Sequence, residues 1–187
     1  MGVHLSPADH GVVAAAVDRL VPGAAAAGVA DYIDTLLGAF TFDPPRLFAG
    51  GPFSGRHGGD AGFERWIAPN PVQALAWRIR IEGTQGDPAR SFNGEHRGWQ
   101  QEYAEGIAAL GADFASADGA EQDRRLDAIP RFKALLHQHA CQGMYGDPVY
   151  GGNRDRAGWV AIGHDGDVQP RGYTPDEVSG RDKTEIT

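Results

Sequence analysis

The sequence predicts a mainly α-helical fold, and three observations lead to this prediction. Apolar residues recur at helical spacing in several stretches, capping residues and prolines stand where these stretches begin, and extended alternation of apolar and polar residues is missing. The 187 residues include 27 glycines and 12 prolines, so much of the remaining backbone is expected to be irregular but ordered. A single domain, 1–187, is expected, with a compact helical core over about 6–144 and a structured C-terminal loop and tail over 145–187.

Two helices are predicted near the N-terminus. The first begins after Ser6, an N-cap followed by Pro7, and ends at Pro22-Gly23. Its apolar face consists of Val13, Val17 and Leu20. The second helix spans about 28–40 and ends before Asp43-Pro44-Pro45, with an apolar stripe of Val29, Ile33, Leu36, Leu37 and Phe40.

Three helices are predicted in the middle of the chain, after a glycine-rich loop over 48–70. Asn70-Pro71 opens a helix that fades at Gly83. The next helix spans about 94–110 and directs inward Trp99, Tyr103, Ile107 and Leu110. Asp118 and Glu121 form a capping pair that opens a short polar helix.

The most regular helix begins at Pro130. One face of it carries the buried stripe Phe132, Leu135, Leu136, His139, Ala140 and Gly143. His139, on this stripe, is expected to be a buried and hydrogen-bonded histidine. Beyond this helix, 159–162 is the one candidate for a short strand.

Composition limits the classes of partner and site. The formal net charge of −8 and the pI near 5.3 argue against nucleic acid or an anionic membrane as the partner, because phosphate binding needs clustered Lys and Arg. The most apolar stretch, 11–30, is interrupted by charges and by Pro22, so membrane insertion is not expected. A single cysteine, Cys141, excludes an internal disulfide and a cysteine-rich metal site.

Standard catalytic motifs are missing from the sequence. It has neither a phosphate-binding Gly-x-x-x-x-Gly-Lys nor a Gly-x-Gly-x-x-Gly after a predicted strand. The nearest approach to a nucleophile elbow is at Ser54, where the spacing is wrong and Pro52 replaces the lead-in strand. We therefore predict no catalytic residue and no cofactor or metal in this chain.

One alternative stays open, in which this chain is itself an enzyme or a metal-binding protein. His137 and Cys141 share a helix face at i and i+4 and could ligate one metal ion, with His139 nearby in sequence. Asp165 and Asp167, separated by Gly166, resemble a fragment of a calcium loop without its later ligands.

The most informative segment is 143–174, which is rich in glycine and retains four aromatic residues. Aromatic rings are costly to expose, so we expect this segment to pack against its own helices, against a partner protein, or against both. Tyr150 and Trp159 are the expected anchors. The candidate interface consists of Asp147, Pro148, Tyr150, Gly151, Gly152, Asn153, Arg154, Arg156, Trp159 and Tyr173.

The same segment resembles the C-terminal signature of the gluconate 2-dehydrogenase subunit 3 family. The runs that carry the resemblance are Asp147-Pro148-Val149-Tyr150-Gly151-Gly152-Asn153, Gly158-Trp159, Ile162-Gly163 and Gly172-Tyr173-Thr174. The opening helices are similar as well, through Leu5-Ser6-Pro7, Asp18-Arg19-Leu20-Val21-Pro22-Gly23 and Gly28-Val29-Ala30-Asp31-Tyr32-Ile33. The resemblance covers nearly the whole chain, and between about 60 and 121 it is one of general character.

The resemblance implies a small accessory subunit without a cofactor of its own. Such subunits accompany a large FAD-containing oxidoreductase of the glucose-methanol-choline type, often together with a cytochrome c subunit. They help the partner fold and commonly supply the twin-arginine signal for export of the complex. The resemblance carries over no catalytic residue. A chaperone that is released after its partner has folded is the alternative to a permanent subunit.

The location expected from the sequence departs from that family pattern. This chain opens directly at its first predicted helix, and its only Arg-Arg pair, Arg124-Arg125, is internal. A cytoplasmic location is therefore expected for the chain as written. A periplasmic or otherwise exported complex is expected instead if a signal was trimmed or lies on a partner subunit.

Overall fold

Helices form the framework of the protein. The structure, a computed structural model, describes residues 2–50, 66–164 and 166, and over these residues it contains seven α-helices. They are α1 (Pro7–Leu20), α2 (Val29–Leu37), α3 (Pro71–Glu82), α4 (Trp99–Leu110), α5 (Gly119–Asp127), α6 (Pro130–Tyr145) and α7 (Ala157–Ala161). Short 3-10 turns occupy Ala39–Thr41, Phe114–Ser116, Pro148–Tyr150 and Arg154–Arg156. The predicted mainly α-helical class is confirmed.

Helix starts follow the predicted capping residues. The Ser6 side chain accepts a hydrogen bond from the Asp9 N–H at 3.1 Å. Asn70 and Gln73 form a reciprocal capping box, and Asp118 accepts the Glu121 N–H at 2.9 Å. These side chains satisfy N–H groups that have no partner within the first turn of a helix, which is why they mark the starts reliably in the sequence.

Two predicted boundaries and one predicted element were wrong. The helix expected from 94 begins at Trp99, because Gly94 has a φ of 99° and Gly83 pairs with Arg97 in an isolated bridge. The second helix ends at Leu37 and continues only as a 3-10 turn. The candidate strand at 159–162 is instead part of α7 and the residues that follow it.

The main core lies where α1, α2, α4 and α6 pack together. Its most deeply buried side chains, each at most 1% exposed, include Val13, Val17, Ile33, Leu37, Tyr103, Leu110, Leu136 and Ala140. A smaller cluster of Leu36, Ala39, Leu47 and Ile81 lies under the rings of Trp77 and Trp99. Among the described helices, none has the length and the apolar character needed to cross a bilayer.

Asp34 fixes the N-terminal segment to α2. Its carboxylate accepts hydrogen bonds from the backbone N–H groups of Val3 at 2.6 Å, His4 at 2.8 Å and Leu5 at 2.6 Å. Burial by itself would raise the pKa of Asp34, but these three N–H groups, with His10 nearby, hold that pKa below its usual value. The carboxylate therefore stays charged and positions Leu5 in the core.

His139 is buried in the core, as the sequence predicted. Its Nδ1 shares a hydrogen bond of 2.9 Å with the Tyr103 hydroxyl, and its ring lies 4.6 Å from that of Trp99 in an edge-on arrangement. Nε2 has no hydrogen-bond partner within the described part of the chain. Burial lowers the pKa of His139 from 6.5 to about 4, so the imidazole is neutral at neutral pH.

The buried histidine predicts a pH dependence of stability. Because the pKa of His139 is about 4 in the folded chain and near 6.5 when unfolded, the unfolded chain binds this proton more readily. The free energy of unfolding should therefore be constant with respect to this group above about pH 6.5. Its contribution should decline, by about 3 kcal/mol in all, as the pH falls toward about 4. Urea denaturation at a series of pH values measures this decline.

The control is the double variant Tyr103→Phe/His139→Leu, which removes the titrating ring together with its buried hydrogen-bond partner. This variant should lose the decline between about pH 6.5 and 4 and retain the losses at lower pH that come from carboxylates. An unchanged slope in the variant would show that His139 does not cause the effect.

Candidate partner interface

Residues 146–164, called the C-terminal motif below, fold back against the helical core. The motif consists of the turns Pro148–Tyr150 and Arg154–Arg156 followed by α7. The Arg154 N–H donates to the Ala27 carbonyl at 2.8 Å, which ties the motif to the segment before α2. Helix α7 packs on the C-terminal end of α6. The predicted packing of this segment on its own helices is thus present.

Two glycines allow the motif to touch the backbone of α6 directly. A Cβ on Gly152 would lie 2.2 Å from the Gly143 carbonyl oxygen, and one on Gly158 would lie 1.9 Å from the Met144 carbonyl oxygen. Any side chain at either position would force the two segments apart. The two glycines therefore set the distance between the motif and α6.

Asn153 joins the end of α6 to the start of α7. Its side chain is fully buried, Nδ2 donates to the Gly146 carbonyl at 2.8 Å, and Oδ1 accepts the Gly158 N–H at 2.8 Å. Its φ of 48° lies in the left-handed region, which Asn adopts more readily than most residues. One side chain thus satisfies a carbonyl after α6 and a free N–H of α7.

The two expected anchors occupy different environments. Trp159 is only 5% exposed, and its Nε1 donates to the Tyr145 carbonyl at 2.8 Å, so this ring belongs to the chain's own core. Tyr150 is half-buried, and its hydroxyl oxygen accepts a hydrogen bond from the Ala49 N–H at 3.2 Å. The centroid of its ring lies 5.6 Å from that of the Trp66 ring. Tyr150 therefore keeps part of its surface at the solvent boundary.

The turn Arg154–Arg156 is held in an uncommon backbone conformation. Asp155 and Arg156 have φ values of 56° and 58°, and both side chains are exposed. Neither makes a hydrogen bond or an ion pair within the described part of the chain. Arg154 pairs with Asp31 at 2.8 Å, and Asp31 also accepts a hydrogen bond from His10 at 2.9 Å. The turn is anchored on one side and presents two charges to solvent.

The other candidate interface residues shape the turns. Asp147 caps the first turn by accepting the Val149 N–H at 2.8 Å, and Pro148 begins that turn. Gly151, with a φ of 98°, closes it. Tyr173 lies outside the described residues. The structure therefore brings nine of the ten predicted residues into one motif, where Gly152, Asn153 and Trp159 face inward and Arg154 and Arg156 face outward.

Sequence reasoning missed Val160. This side chain is 75% exposed on α7, directly after the buried Trp159. An apolar residue in a short stretch gives no sign of its orientation, and here burial is decided by the contacts of Gly158 and Trp159 with α6. Val160 adds an exposed apolar group four residues after Arg156.

The residues of the metal-binding alternative are divided between two faces of α6. His137 Nε2 and Cys141 Sγ lie 3.7 Å apart, with His137 exposed and Cys141 partly buried at the edge of the core, while His139 lies on the buried face. Within the described residues, no group of three or more His, Cys, Asp or Glu is arranged to hold a metal ion. Asp165, Asp167 and Ser54 lie outside the described residues.

The hydrogen bonds of Asn153 predict a stability effect that a glycine variant isolates. Asn153→Gly keeps access to the left-handed conformation but loses both side-chain hydrogen bonds, so the free energy of unfolding should fall by about 2–4 kcal/mol. The matched control is Asp155→Gly, at an exposed position with a similar φ, which should change it by less than about 1 kcal/mol. Thermal unfolding measures both. Equal losses in the two variants would contradict the role given to Asn153.

Comparison with known proteins places this architecture in a family. The family model described as gluconate 2-dehydrogenase subunit 3 matches residues 7–166, from the first residue of α1 through α7 and the C-terminal motif. No curated protein and no solved structure gives a significant match. The family match covers far more than half of the 187 residues. The chain therefore belongs to the gluconate 2-dehydrogenase subunit 3 family.

Proposed function

We propose that this chain is a non-catalytic accessory subunit that binds and stabilises the large, FAD-containing subunit of a sugar or alcohol dehydrogenase. Members of this family are subunits of a dehydrogenase complex, so the chain has protein partners. The observation that supports an accessory role in partner binding is the C-terminal motif. Its buried side chains fix it to the helical core, and its exposed side chains present charged and apolar groups to solvent.

The backbone of this motif supports a binding role. Holding a residue other than glycine in a sparsely populated backbone conformation costs on the order of 1–3 kcal/mol of folding free energy. Such residues concentrate at binding and catalytic sites. Asp155 and Arg156 are held in this way, although their side chains make no hydrogen bond or ion pair within the described residues. A surface that is fixed before binding loses less conformational entropy when the partner docks.

The side chains on the outer surface are of the types that interfaces use. Arg154 and Arg156 offer planar guanidinium groups, and Val160 offers an exposed apolar side chain. Arginine is enriched in interfaces, whereas an exposed apolar side chain becomes favourable once a partner covers it. The motif therefore has both the apolar and the charged component of a protein–protein interface.

The proposed division of labour leaves the redox chemistry to the partner. The flavin of the large subunit takes electrons from a C–H bond of the substrate, and a cytochrome c subunit is the proposed acceptor. This chain keeps the large subunit folded, soluble and loaded with FAD. Its location, cytoplasmic or exported, follows that of the partner that it accompanies.

Co-expression tests this function. The large subunit should be recovered in soluble form with a high flavin-to-protein absorbance ratio when this chain is present. Without it, the soluble yield and the flavin content should both fall severalfold, because an obligate interface would be left exposed. Gel filtration of the active enzyme should show this chain in the complex. A large subunit that is equally soluble, flavin-loaded and active alone would contradict the proposal, and active enzyme lacking this chain would instead indicate a transient chaperone.

A matched pair of valines tests where the partner binds. Val160 on α7 and Val72 on α3 are 75% and 76% exposed. Val160→Gln should weaken association with the large subunit by about 3–10-fold, because it places a polar amide in the contact, and Val72→Gln should leave the affinity unchanged. Both variants should unfold near the wild-type temperature. Equal affinities for the two variants would place the interface away from α7.

A further inference from the structure

A cavity of about 290 Å³ lies beside the C-terminal motif. It is bordered by α2, α6, the turn Pro148–Tyr150, the middle of α3 and residues 46–47, and one side of it is open to solvent. Its walls are mainly apolar, and the side chains that form them are Tyr32, Leu36, Leu47, Trp77 and Tyr150. The cavity is thus continuous with the motif to which the proposed function assigns partner binding.

The aromatic walls of the cavity are held in place by contacts behind them. The centroid of the Trp77 ring lies 6.3 Å from that of Phe48 and 6.1 Å from that of Trp99, and both contacts are edge-on. Tyr150 is fixed by Trp66 and by the Ala49 N–H. Because these rings are half-buried and supported from the outside, the cavity is already formed in the free chain.

Hydrogen-bond donors lie at the rim of the cavity. The Tyr32 hydroxyl donates to Gln142 Oε1 at 3.2 Å, which leaves the Gln142 amide NH₂ as a donor. Burial, with Tyr150 nearby, raises the pKa of Tyr32 to about 12, so this hydroxyl stays protonated. Arg46 also lines the cavity, and its guanidinium carbon lies 5.1 Å from the centroid of the Phe42 ring and 4.7 Å from that of the Trp66 ring. Asp147 lines the cavity as well, so these donors suit a hydrogen-bond acceptor placed directly beside them.

Size and chemistry together select the occupant. Pockets for small molecules usually span about 300–1,000 Å³, so a cavity of 290 Å³ is at the lower limit and suits a group the size of one large side chain. Aromatic rings favour edge-on or offset contacts with other rings. Residues that dominate binding at protein interfaces are enriched in Trp, Tyr and Arg and lie in well-packed pockets that exclude water.

We infer that this cavity receives one aromatic side chain of the large flavoprotein subunit, with a main-chain carbonyl or carboxylate of that subunit bound by Arg46 and Gln142. The inference rests on the proposed function and makes it specific. The occupant is assigned to the large subunit because Asp147, Tyr150 and Gly152 line the cavity and also belong to the motif, so one partner covers both. Arg46 and Gln142 provide donors for the acceptor beside the inserted ring, while the Asp147 side chain also lines the cavity.

Two glutamines on α6 provide a matched test. Both are exposed, but Gln142 lines the cavity, whereas Gln138, one turn earlier, does not. In Gln142→Trp the indole should fill or cover the cavity and weaken association with the large subunit by about 30-fold or more, as loss of an anchor residue does. Gln138→Trp should bind like the wild type. Affinities are measured by titrating the purified flavin-loaded large subunit with each variant of this chain.

A second variant, Thr35→Trp, fills the same cavity from α2 and should weaken association to a similar extent. Unfolding temperatures identify a variant that merely fails to fold, in which case the other variant decides. If the wild type binds and both filling variants bind equally well, the inference is overturned while the proposed function stands. If the wild type itself neither binds nor stabilises the large subunit, the proposed function fails and the inference fails with it.

Indole binding to the isolated chain tests whether the cavity is instead a site for a small molecule. If indole binds the wild type and not Gln142→Trp, and association with the large subunit is the same for both, the cavity is a small-molecule site and the inference is overturned. If association is lost in the filling variants and indole competes with the large subunit for the wild-type chain, both measurements support an aromatic side chain as the occupant.

Discussion

The C-terminal part of this fold depends on the two hydrogen bonds of Asn153. They join the carbonyl after α6 to the first free N–H of α7, across a contact in which Gly152 and Gly158 bring backbone against backbone. A buried polar side chain is costly unless its groups are satisfied, and here both the donor and the acceptor are used. The position of Trp159, the turn Arg154–Arg156 and one wall of the cavity follow from this link.

The same side chain separates two roles that the sequence could not distinguish. Residues of the motif that contact α6, such as Gly152 and Trp159, serve the fold of this chain. Residues that Asn153 and the Arg154–Asp31 pair hold outward, such as Arg156 and Val160, are available to a partner. The proposed accessory role requires both, because a binding surface that must first become ordered loses affinity to the entropy of that ordering.

Local signals in the sequence were enough for most of the helical framework. Caps at Ser6, Asn70 and Asp118 act within one turn, so their residue types predict the helix starts, and the apolar stripe of α6 predicts the burial of His139. Contacts between distant segments were not predictable. The candidate strand at 159–162 was wrong because the conformation of α7 depends on its contacts with α6. The Asp34 carboxylate accepts hydrogen bonds from backbone N–H groups, which give no signal in the sequence. The walls of the cavity come from several separate segments of the chain.

Amide hydrogen exchange, measured on the free chain and on its complex with the large subunit, tests the central claim most directly. In the free chain, the N–H groups of Gly158 and Arg154 should exchange slowly, because they donate to Asn153 and Ala27. On binding, further protection should appear in 146–162 and in the cavity segments 32–36 and 46–47. Rapid exchange at Gly158 in the free chain, or protection confined to other surfaces in the complex, would contradict the account.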